Sequence, residues 1–228
     1  MDNLATAPSR VGSLALIAEE LALDFANTMS GKGGPQQNDH LHEPEHVVVW
    51  AQHAKVLAPH DFDVALKRVS EDADLGRRLL AESLQLREAI FHIGSALARK
   101  RAPDEAHRAL LSAVHARSLA AAKLTPHDDG YVWAWDPRTS VIEAILGPIA
   151  FSALTLLTQQ DLSRVKQCEG DHCGWLFFDT TKNKRRRWCE MSVCGNRAKV
   201  RALRQRRKGE AEKAEASGRQ AKRRRSSG

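Results

Sequence analysis

All four cysteines of this chain lie close together near its C-terminal end, and none occurs among the first 167 residues. They form two pairs with the same spacing, Cys168-x4-Cys173 and Cys189-x4-Cys194, and fifteen residues separate the pairs. Two such loops joined by a hairpin-length insert are what a tetrahedral four-thiolate zinc site needs, because each tight turn supplies two thiolates. The spacing therefore predicts one structural Zn²⁺ ion held by these four cysteines.

The cysteines have alternative interpretations. Two disulfides or redox pairs would use the same residues, but disulfide frameworks are typical of small secreted domains. Glu19 and Glu20 interrupt the apolar N-terminal stretch, which favours a cytoplasmic protein over a secreted one. The loops of four residues are longer than the commonest two, which weakens the argument from spacing. His172 is also a credible nitrogen ligand, and a shell containing it would leave Cys173 unused.

Charge is distributed unevenly along the chain. From residue 164 onward there are 20 Lys and Arg against 7 Asp and Glu, whereas the first 163 residues carry 15 basic and 21 acidic side chains. This asymmetry indicates a body with a cationic segment, and the natural partner of such a segment is a polyanion such as nucleic acid. No run of eighteen apolar residues occurs, so we expect no membrane-spanning helix and no membrane partner.

The basic residues that follow the second cysteine pair have helical spacing. Val200 and Leu203 form a narrow apolar stripe, which we expect to dock on the zinc hairpin. Gly195 is expected to adopt the left-handed turn of a metal knuckle, and Asn196 is expected to cap the helix. Four cations at steps of four, three and four share one face of this predicted helix: Arg197, Arg201, Arg204 and Lys208.

The insert between the cysteine pairs predicts a hairpin. Residues 175–178 resemble a strand, 181–184 a turn, and 186–188 the returning strand. Three arginines in this insert extend the positive surface and add predicted nucleic-acid contacts: Arg185, Arg186 and Arg187. In the alternative, the basic helix is only solvated, and Arg197 pairs with Asp179 or Asp171 within the module.

The N-terminal two thirds of the chain have the pattern of a mainly helical domain. Apolar residues at three- and four-residue steps, flanked by Pro and capping residues, predict helices over 45–57, 74–100, 104–124 and 140–160. Tyr131, Trp133 and Trp135 alternate with smaller residues, which predicts a strand. The last helix is expected to run almost directly into the cysteines.

The expected fold is therefore a mainly α domain with a small β element, followed by a small zinc-bound module of β-hairpin and helix, similar to a zinc ribbon or a treble clef. The expected divisions are residues 1–162, 163–208 and 209–228. The last of these has no large apolar residues and is expected to be a basic tail that frays into disorder.

Polar residues interrupt the first apolar stretch, and they bear on whether the chain is an enzyme. Asp24 and Asn27 either line a small-molecule pocket or brace the first helix. The N-terminal domain shows no nucleophile–base motif, P-loop or Gly-rich fingerprint, and a four-thiolate zinc shell leaves no open position for substrate. We therefore expect no enzyme.

The run CGWLFFDTTKNKRRRWCEMSVCGNRAKVRA closely resembles the CGNR zinc-finger family over roughly residues 168–201. The resemblance implies the same four cysteine ligands and adds Lys199, a signature position, to the expected nucleic-acid contacts. Upstream, LALDFANT, LREAI, DGYVWAW and PIAFSALTLL resemble more loosely the ABATE domain that accompanies this finger. The family is chiefly bacterial, and its members are described as stress-induced transcription regulators, with RNA binding sometimes suggested.

Two functional hypotheses of different classes follow. In the first, the chain is a bacterial cytoplasmic regulator that binds nucleic acid through the zinc finger and its basic helix, with DNA favoured over RNA; if it binds DNA, it is nucleoid-associated. In the second, the zinc finger is purely structural and the basic helix docks an acidic protein. A homodimer and a small-molecule ligand in the N-terminal domain also stay open.

Overall fold

The structure is a computed structural model. It describes residues 9–31 and 37–225, and it describes side chains up to residue 210. Within these residues there are short helical turns at Val11–Ser13 and Leu162–Arg164 and three two-stranded antiparallel sheets, β1–β2, β3–β4 and β5–β6. The elements are α1 (Leu21–Ala26), β1 (Met29–Ser30), β2 (Asn38–Asp39), α2 (Pro44–His53), α3 (Pro59–Glu71), α4 (Ala73–Ala98), α5 (Glu105–Ala120), β3 (Lys123–His127), β4 (Gly130–Ala134), α6 (Val141–Gln159), β5 (Val165–Gln167), β6 (Leu176–Phe178) and α7 (Asn196–Arg225).

The core of the helical body forms around α4. Asp72 starts this helix by accepting hydrogen bonds from the backbone N–H groups of Asp74 and Leu75, both at 3.0 Å. Leu79 and Leu86 then point inward and are fully buried, which stabilises the fold by roughly 2 kcal/mol for each side chain. Helices α1, α2, α3, α5 and α6 pack on α4. The expected mainly α body with small β elements is confirmed.

Helix α6 lies in the same core and runs unbroken through Pro148. By length and composition alone, it is apolar enough to cross a membrane. Ten of its nineteen residues, however, are buried inside the protein, where α6 packs against α1, α4 and α5. Its apolar character therefore matches its place at the centre of the body.

Two elements of the body differ from the expectations. Helix α3 was not expected, although Phe62, Ala65, Leu66 and Val69 have helical spacing and face the core. The helix expected up to residue 124 ends at Ala120, because residues 123–127 pair with β4 instead. The β3 segment contains a proline and has no strand pattern of its own. Its strand conformation is therefore determined by pairing with β4 and not by local preference.

The zinc-finger region contains a hairpin, but its strands are not the expected ones. β6 confirms the strand expected near residues 175–178, yet its partner is β5, with Val165 opposite Phe178. Residues 186–188 form no returning strand, and the last helix of the body stops before β5 instead of continuing into the cysteines. The hairpin therefore encloses the first cysteine pair, and the insert returns as an irregular loop.

Helix α7 projects from the far end of the finger. Its backbone is helical across Gly209 and on to Arg225, where a tail fraying into disorder was expected. The sequence beyond Gly209 is rich in Ala, Glu, Lys and Arg, which are strong helix formers, and this accounts for the continuation. Residues 226–228 of the expected tail lie outside the described residues.

Candidate metal centre and basic helix

The four cysteine sulfur atoms lie within 4.8 Å of one another. The Sγ atoms of Cys173 and Cys189 are 3.6 Å apart, and those of Cys189 and Cys194 are 3.7 Å apart. A tetrahedral zinc ion with Zn–S bonds of about 2.3 Å requires sulfur atoms about 3.8 Å from one another. All four thiols are free. The donor set and its spacing therefore fit one structural zinc ion, and the disulfide interpretation is wrong for this arrangement.

The first cysteine pair is shaped by a tight backbone loop. The Cys168 N–H donates to the Trp175 carbonyl oxygen at 2.8 Å, which continues the β5–β6 ladder up to the sulfur atoms. His172 and Gly174 turn the chain with φ angles of 60° and 71°. The Gly170 N–H donates to the Cys168 sulfur at 3.4 Å, so the backbone supports the thiolate that would bind the metal. His172 lies outside the sulfur cluster, so the four-cysteine set is the one that the fold assembles.

The second cysteine pair begins a helical turn directly. The Cys194 and Gly195 N–H groups both donate to the Glu190 carbonyl oxygen, at 3.0 and 3.1 Å. Gly195 is not left-handed, contrary to the expectation; instead, a Cβ atom there would overlap the sulfur of Met191. Asn196 does not cap α7 either, because its backbone is already helical and its side chain donates to the Ser192 carbonyl oxygen at 2.9 Å. The helix thus starts within the metal knuckle.

The thiols perturb one another strongly. Hydrogen bonds from Cys173 and Cys189 lower the pKa of Cys168, and the same bonds raise the pKa of Cys173 and of Cys189. Burial, followed by the charge of Cys168, raises the pKa of Cys194. Four thiolates at this spacing need a bound cation to offset their repulsion.

Arg186 is part of the framework of the finger. Its guanidinium donates to the carbonyl oxygens of Trp188, Ile17 and Cys189, with the first two bonds at 3.1 Å. It also lies over the Phe177 ring, 4.5 Å from the ring centre. Arg186 was predicted to be a nucleic-acid contact. In the structure, its side chain instead holds the second knuckle against the body.

The other two arginines of the insert are exposed. Arg187 forms an ion pair with Glu169 at 2.5 Å, which links the insert to the first cysteine loop. Arg185 has an exposed side chain, and its backbone N–H donates to the Asn183 side-chain oxygen at 3.3 Å. Asp179, which was expected as an alternative partner for Arg197, instead accepts hydrogen bonds from Thr181 and from the Arg186 backbone. Asp179 therefore shapes the insert.

Asn27 joins the body to the finger. Its side-chain amide donates to the Leu176 carbonyl oxygen at 2.9 Å and accepts from the Leu176 N–H at 2.8 Å, so it pairs with β6 as another strand would. Leu176 also packs closely against Gly94 of α4. Asn27 was expected either to line a small-molecule pocket or to brace the first helix, whereas its side chain joins the end of α1 to β6. The polar residue in an apolar stretch was the signal that could have located this contact.

Backbone contacts reinforce this junction. The Phe178 N–H donates to the Ala18 carbonyl oxygen at 2.9 Å, and the Gly31 N–H donates to the Cys173 carbonyl oxygen at 3.0 Å. Asp24 lies nearby, accepts from the Ala18 N–H at 3.0 Å and thereby fixes the segment that meets β6. Burial, with a smaller contribution from the charge of Glu19, raises the pKa of Asp24 to about 6. The finger is thus built onto the body through the segment around α1.

The predicted basic face of α7 is present. Arg201 forms an ion pair with Asp171 in the first cysteine loop, which ties the helix to the metal knuckle. Arg197, the residue that was expected as a partner of Asp171, has no hydrogen bond or ion pair within the described part of the chain. Four of the predicted contact residues on α7 have exposed side chains: Arg197, Lys199, Arg204 and Lys208.

The apolar stripe of α7 does not dock on the hairpin. Val200 and Leu203 are each 48 % exposed, and among the described residues the main packing contact of α7 is with the turn from Met191 to Gly195. The expected docking is therefore wrong, because α7 packs mainly on the turn from which it begins and leaves this stripe half exposed. A groove of about 680 Å³ follows the first turns of α7, and Arg197, Arg201 and Arg204 line it beside Val200.

Comparisons with known families agree with this arrangement. A family model described as "CGNR zinc finger" matches residues 164–207, and one for ABATE, described as "Putative stress-induced transcription regulator", matches residues 19–160. A search of curated proteins gives no match. Neither of the two matched families is an enzyme family. The ABATE model covers more than half of the length of this chain. The chain therefore belongs to the ABATE family, and it carries a CGNR zinc finger after the ABATE domain.

Proposed function

We propose that this protein is a nucleic-acid-binding regulator that uses α7 as its contact element and binds DNA in preference to RNA. The observation that carries the proposal is the row of exposed cations on a helix that begins within the metal knuckle. Arg197, Arg204 and Lys208 repeat at helical spacing on one face. Phosphate groups are the ligands that such a row fits best.

The position of α7 supports the preference for DNA. The helix begins at the finger, and Val200, Leu203 and Arg204 on its second and third turns are exposed. The major groove of B-form DNA admits an α-helix, whereas the major groove of A-form RNA is too narrow and deep for one. Lys199 adds an exposed cation to the helix, Arg185 adds one in the insert of the finger, and Arg201 ties the helix to the first cysteine loop through Asp171.

A salt titration of binding tests this function. We expect full-length protein to shift duplex DNA at low salt, with an affinity that falls as a power of the salt concentration. Replacing Arg204 and Lys208 by Ala should lower the slope of log Kd against log salt by about 2, one for each lost phosphate contact. The matched control replaces two exposed cations of the body, Lys67 and Arg108, and should keep the wild-type slope.

The outcomes of this titration separate the candidates. Failure of the zinc-loaded protein to bind any duplex DNA or structured RNA at low salt would contradict the proposal. Stronger binding to RNA than to DNA of the same length and charge would overturn the preference for DNA while leaving the contact element unchanged.

One observation favours a second candidate function, docking to an acidic protein. Val200 and Leu203 are half exposed on α7, and apolar side chains beside cations are typical of helices that bind protein partners. Replacing both residues by Ser separates the two functions. Under the proposed function, the affinity for DNA changes little, whereas a protein-docking helix would lose its partner in a pull-down with the same variant.

We also propose a cytoplasmic location, associated with the nucleoid. The burial of α6 in the core supports it, because the apolar helix that could span a membrane is already packed in the body. Fluorescence microscopy of the tagged full-length chain tests this directly, and peripheral membrane fluorescence would contradict it.

A further inference from the structure

The hairpin formed by β3 and β4 is solvent-exposed along almost its whole length. Only Ala134, at its base, is half buried, and the sheet has two strands, so both outer edges are free among the described residues. The base is anchored, because Trp135 donates its indole N–H to the Ser118 carbonyl oxygen at 2.7 Å and lies against Gly147 of α6. A hairpin that is fixed at its base and bare at its edges is prepared for pairing with another strand.

One face of this hairpin is apolar. Leu124 lies opposite Trp133 and Pro126 lies opposite Tyr131, so these four side chains share a face. The exposed fractions are 56 % for Leu124, 68 % for Tyr131 and 42 % for Trp133. Isolated exposed apolar residues are ordinary, but four adjacent ones including two aromatic rings indicate an interface.

The two edges of the hairpin are not equivalent. The turn has two residues, Asp128 and Asp129. The pair beside it, His127 and Gly130, therefore forms both of its cross-strand hydrogen bonds, and hydrogen-bonded pairs alternate with non-hydrogen-bonded pairs from there along the strands. The backbone groups of Leu124 and Pro126 consequently point outward from β3, and those of Tyr131 and Trp133 point outward from β4. Because proline has no N–H, the β3 edge lacks a hydrogen-bond donor at Pro126, whereas the β4 edge has one at Tyr131.

The β4 edge is complementary to itself. If two copies of β4 pair antiparallel about a two-fold axis at Val132, each Tyr131 lies opposite the Trp133 of the second copy. These are the residues whose N–H and C=O groups point outward, so this register forms four intermolecular N–H···O=C bonds. It also creates two aromatic cross-strand pairs and extends the apolar face across four strands.

We infer that the protein forms a two-fold homodimer through the β4 edge, in which the two hairpins join into a four-stranded antiparallel sheet. The partner of the β4 edge is thus a second copy of this chain, and the apolar faces of the two hairpins become continuous. The interface is remote in sequence from the cysteines and from α7. Dimerisation therefore does not depend on nucleic-acid binding, and each function can fail without the other.

Sedimentation equilibrium of the full-length, zinc-loaded protein tests the inference. We expect the measured mass to reach that of a dimer, which is twice the 25.3 kDa mass of the chain, by a concentration of about 100 µM. The variant carrying Tyr131→Lys and Trp133→Lys places like charges opposite each other and should be monomeric. Thr125→Lys lies in the same hairpin on the opposite face and should stay dimeric.

A second variant guards against misfolding of the first. Tyr131→Pro removes an outward N–H without removing a β3–β4 hydrogen bond, so it should also be monomeric, with an unchanged circular dichroism spectrum and zinc content. A wild-type protein that is monomeric throughout the concentration series overturns the inference. A dimer that survives both Tyr131→Pro and the double lysine variant overturns it as well.

Discussion

The helical body and the zinc finger obtain their stability from different sources. In the body, α4 and α6 bury long rows of apolar side chains, and each element packs on several others. In the finger, two short loops surround four sulfur atoms, and Met191 and Val193, the apolar side chains between the second pair of cysteines, are exposed. Burial of apolar surface holds the body, whereas a bound metal is needed to hold the knuckles.

The boundary between these two modes runs through the finger itself. β5 and β6 belong to the apolar core, since Val165, Leu176 and Phe177 are buried together with residues of the body. The second knuckle, from Cys189 to Cys194, is attached by Arg186 and by the expected metal. The finger therefore has one half held by packing and one half held by Arg186 and the expected metal, and α7 begins at the end of the second half.

Removal of the metal should have the largest effect. We expect one zinc ion per chain by mass spectrometry. Removing zinc should cost a binding free energy of about 10 kcal/mol or more, and Cys189→Ser should cost part of it by removing one ligand. Hydrogen exchange should then lose protection at residues 189–196 and keep it at β6, which Asn27 and the core still hold. Equal loss of protection in β6 would contradict the division of the finger into two halves.

Arg186 and Arg185 provide a matched pair in the same basic run. Arg186→Ala leaves three carbonyl oxygens without their donor, and the free energy of unfolding should fall by about 3 kcal/mol. Arg185→Ala removes an exposed side chain and should change the free energy of unfolding by less than about 0.5 kcal/mol. Urea denaturation of the zinc-loaded proteins measures both values, and equal effects would show that Arg186 is no part of the framework.

Asn27→Ala tests the junction from the side of the body. The substitution leaves the buried N–H and C=O groups of Leu176 without partners, so we expect a loss of about 2–4 kcal/mol in the free energy of unfolding. Hydrogen exchange should report faster exchange at Leu176. An unchanged exchange rate there would mean that β6 does not depend on this side chain.

Asp24 predicts a pH dependence of stability. Its pKa is raised to about 6 in the folded protein from 3.8, so between pH 4 and 6 the native state binds more protons than the unfolded state. The free energy of unfolding should therefore fall by about 2–3 kcal/mol as pH rises through this window. Asp24→Asn keeps an acceptor for the Ala18 N–H and should remove this slope, as thermal denaturation at several pH values would show. An unaltered slope in this variant would assign the dependence to another group.

The sequence determined some of these features more clearly than others. The cysteine spacing predicted the metal cluster because ligation needs specific residue types at specific positions, and the apolar period predicted α4 because a buried helix repeats its contacts. Arg186 could not be told from Arg185 or Arg187, since a run of identical residues carries no information about orientation. β3 and the partner of β6 were also missed, because strand pairing is decided between segments that are distant or weakly patterned.

The most direct test of the central claim, that a zinc-organised knuckle presents α7 to nucleic acid, is the affinity for duplex DNA measured at increasing zinc loading. We predict that DNA affinity rises with zinc content and saturates at one zinc ion per chain, with Arg204 and Lys208 contributing to the salt dependence only in the loaded protein. If zinc-stripped protein binds DNA with the same affinity and the same salt slope, charge alone accounts for binding and the claim is wrong.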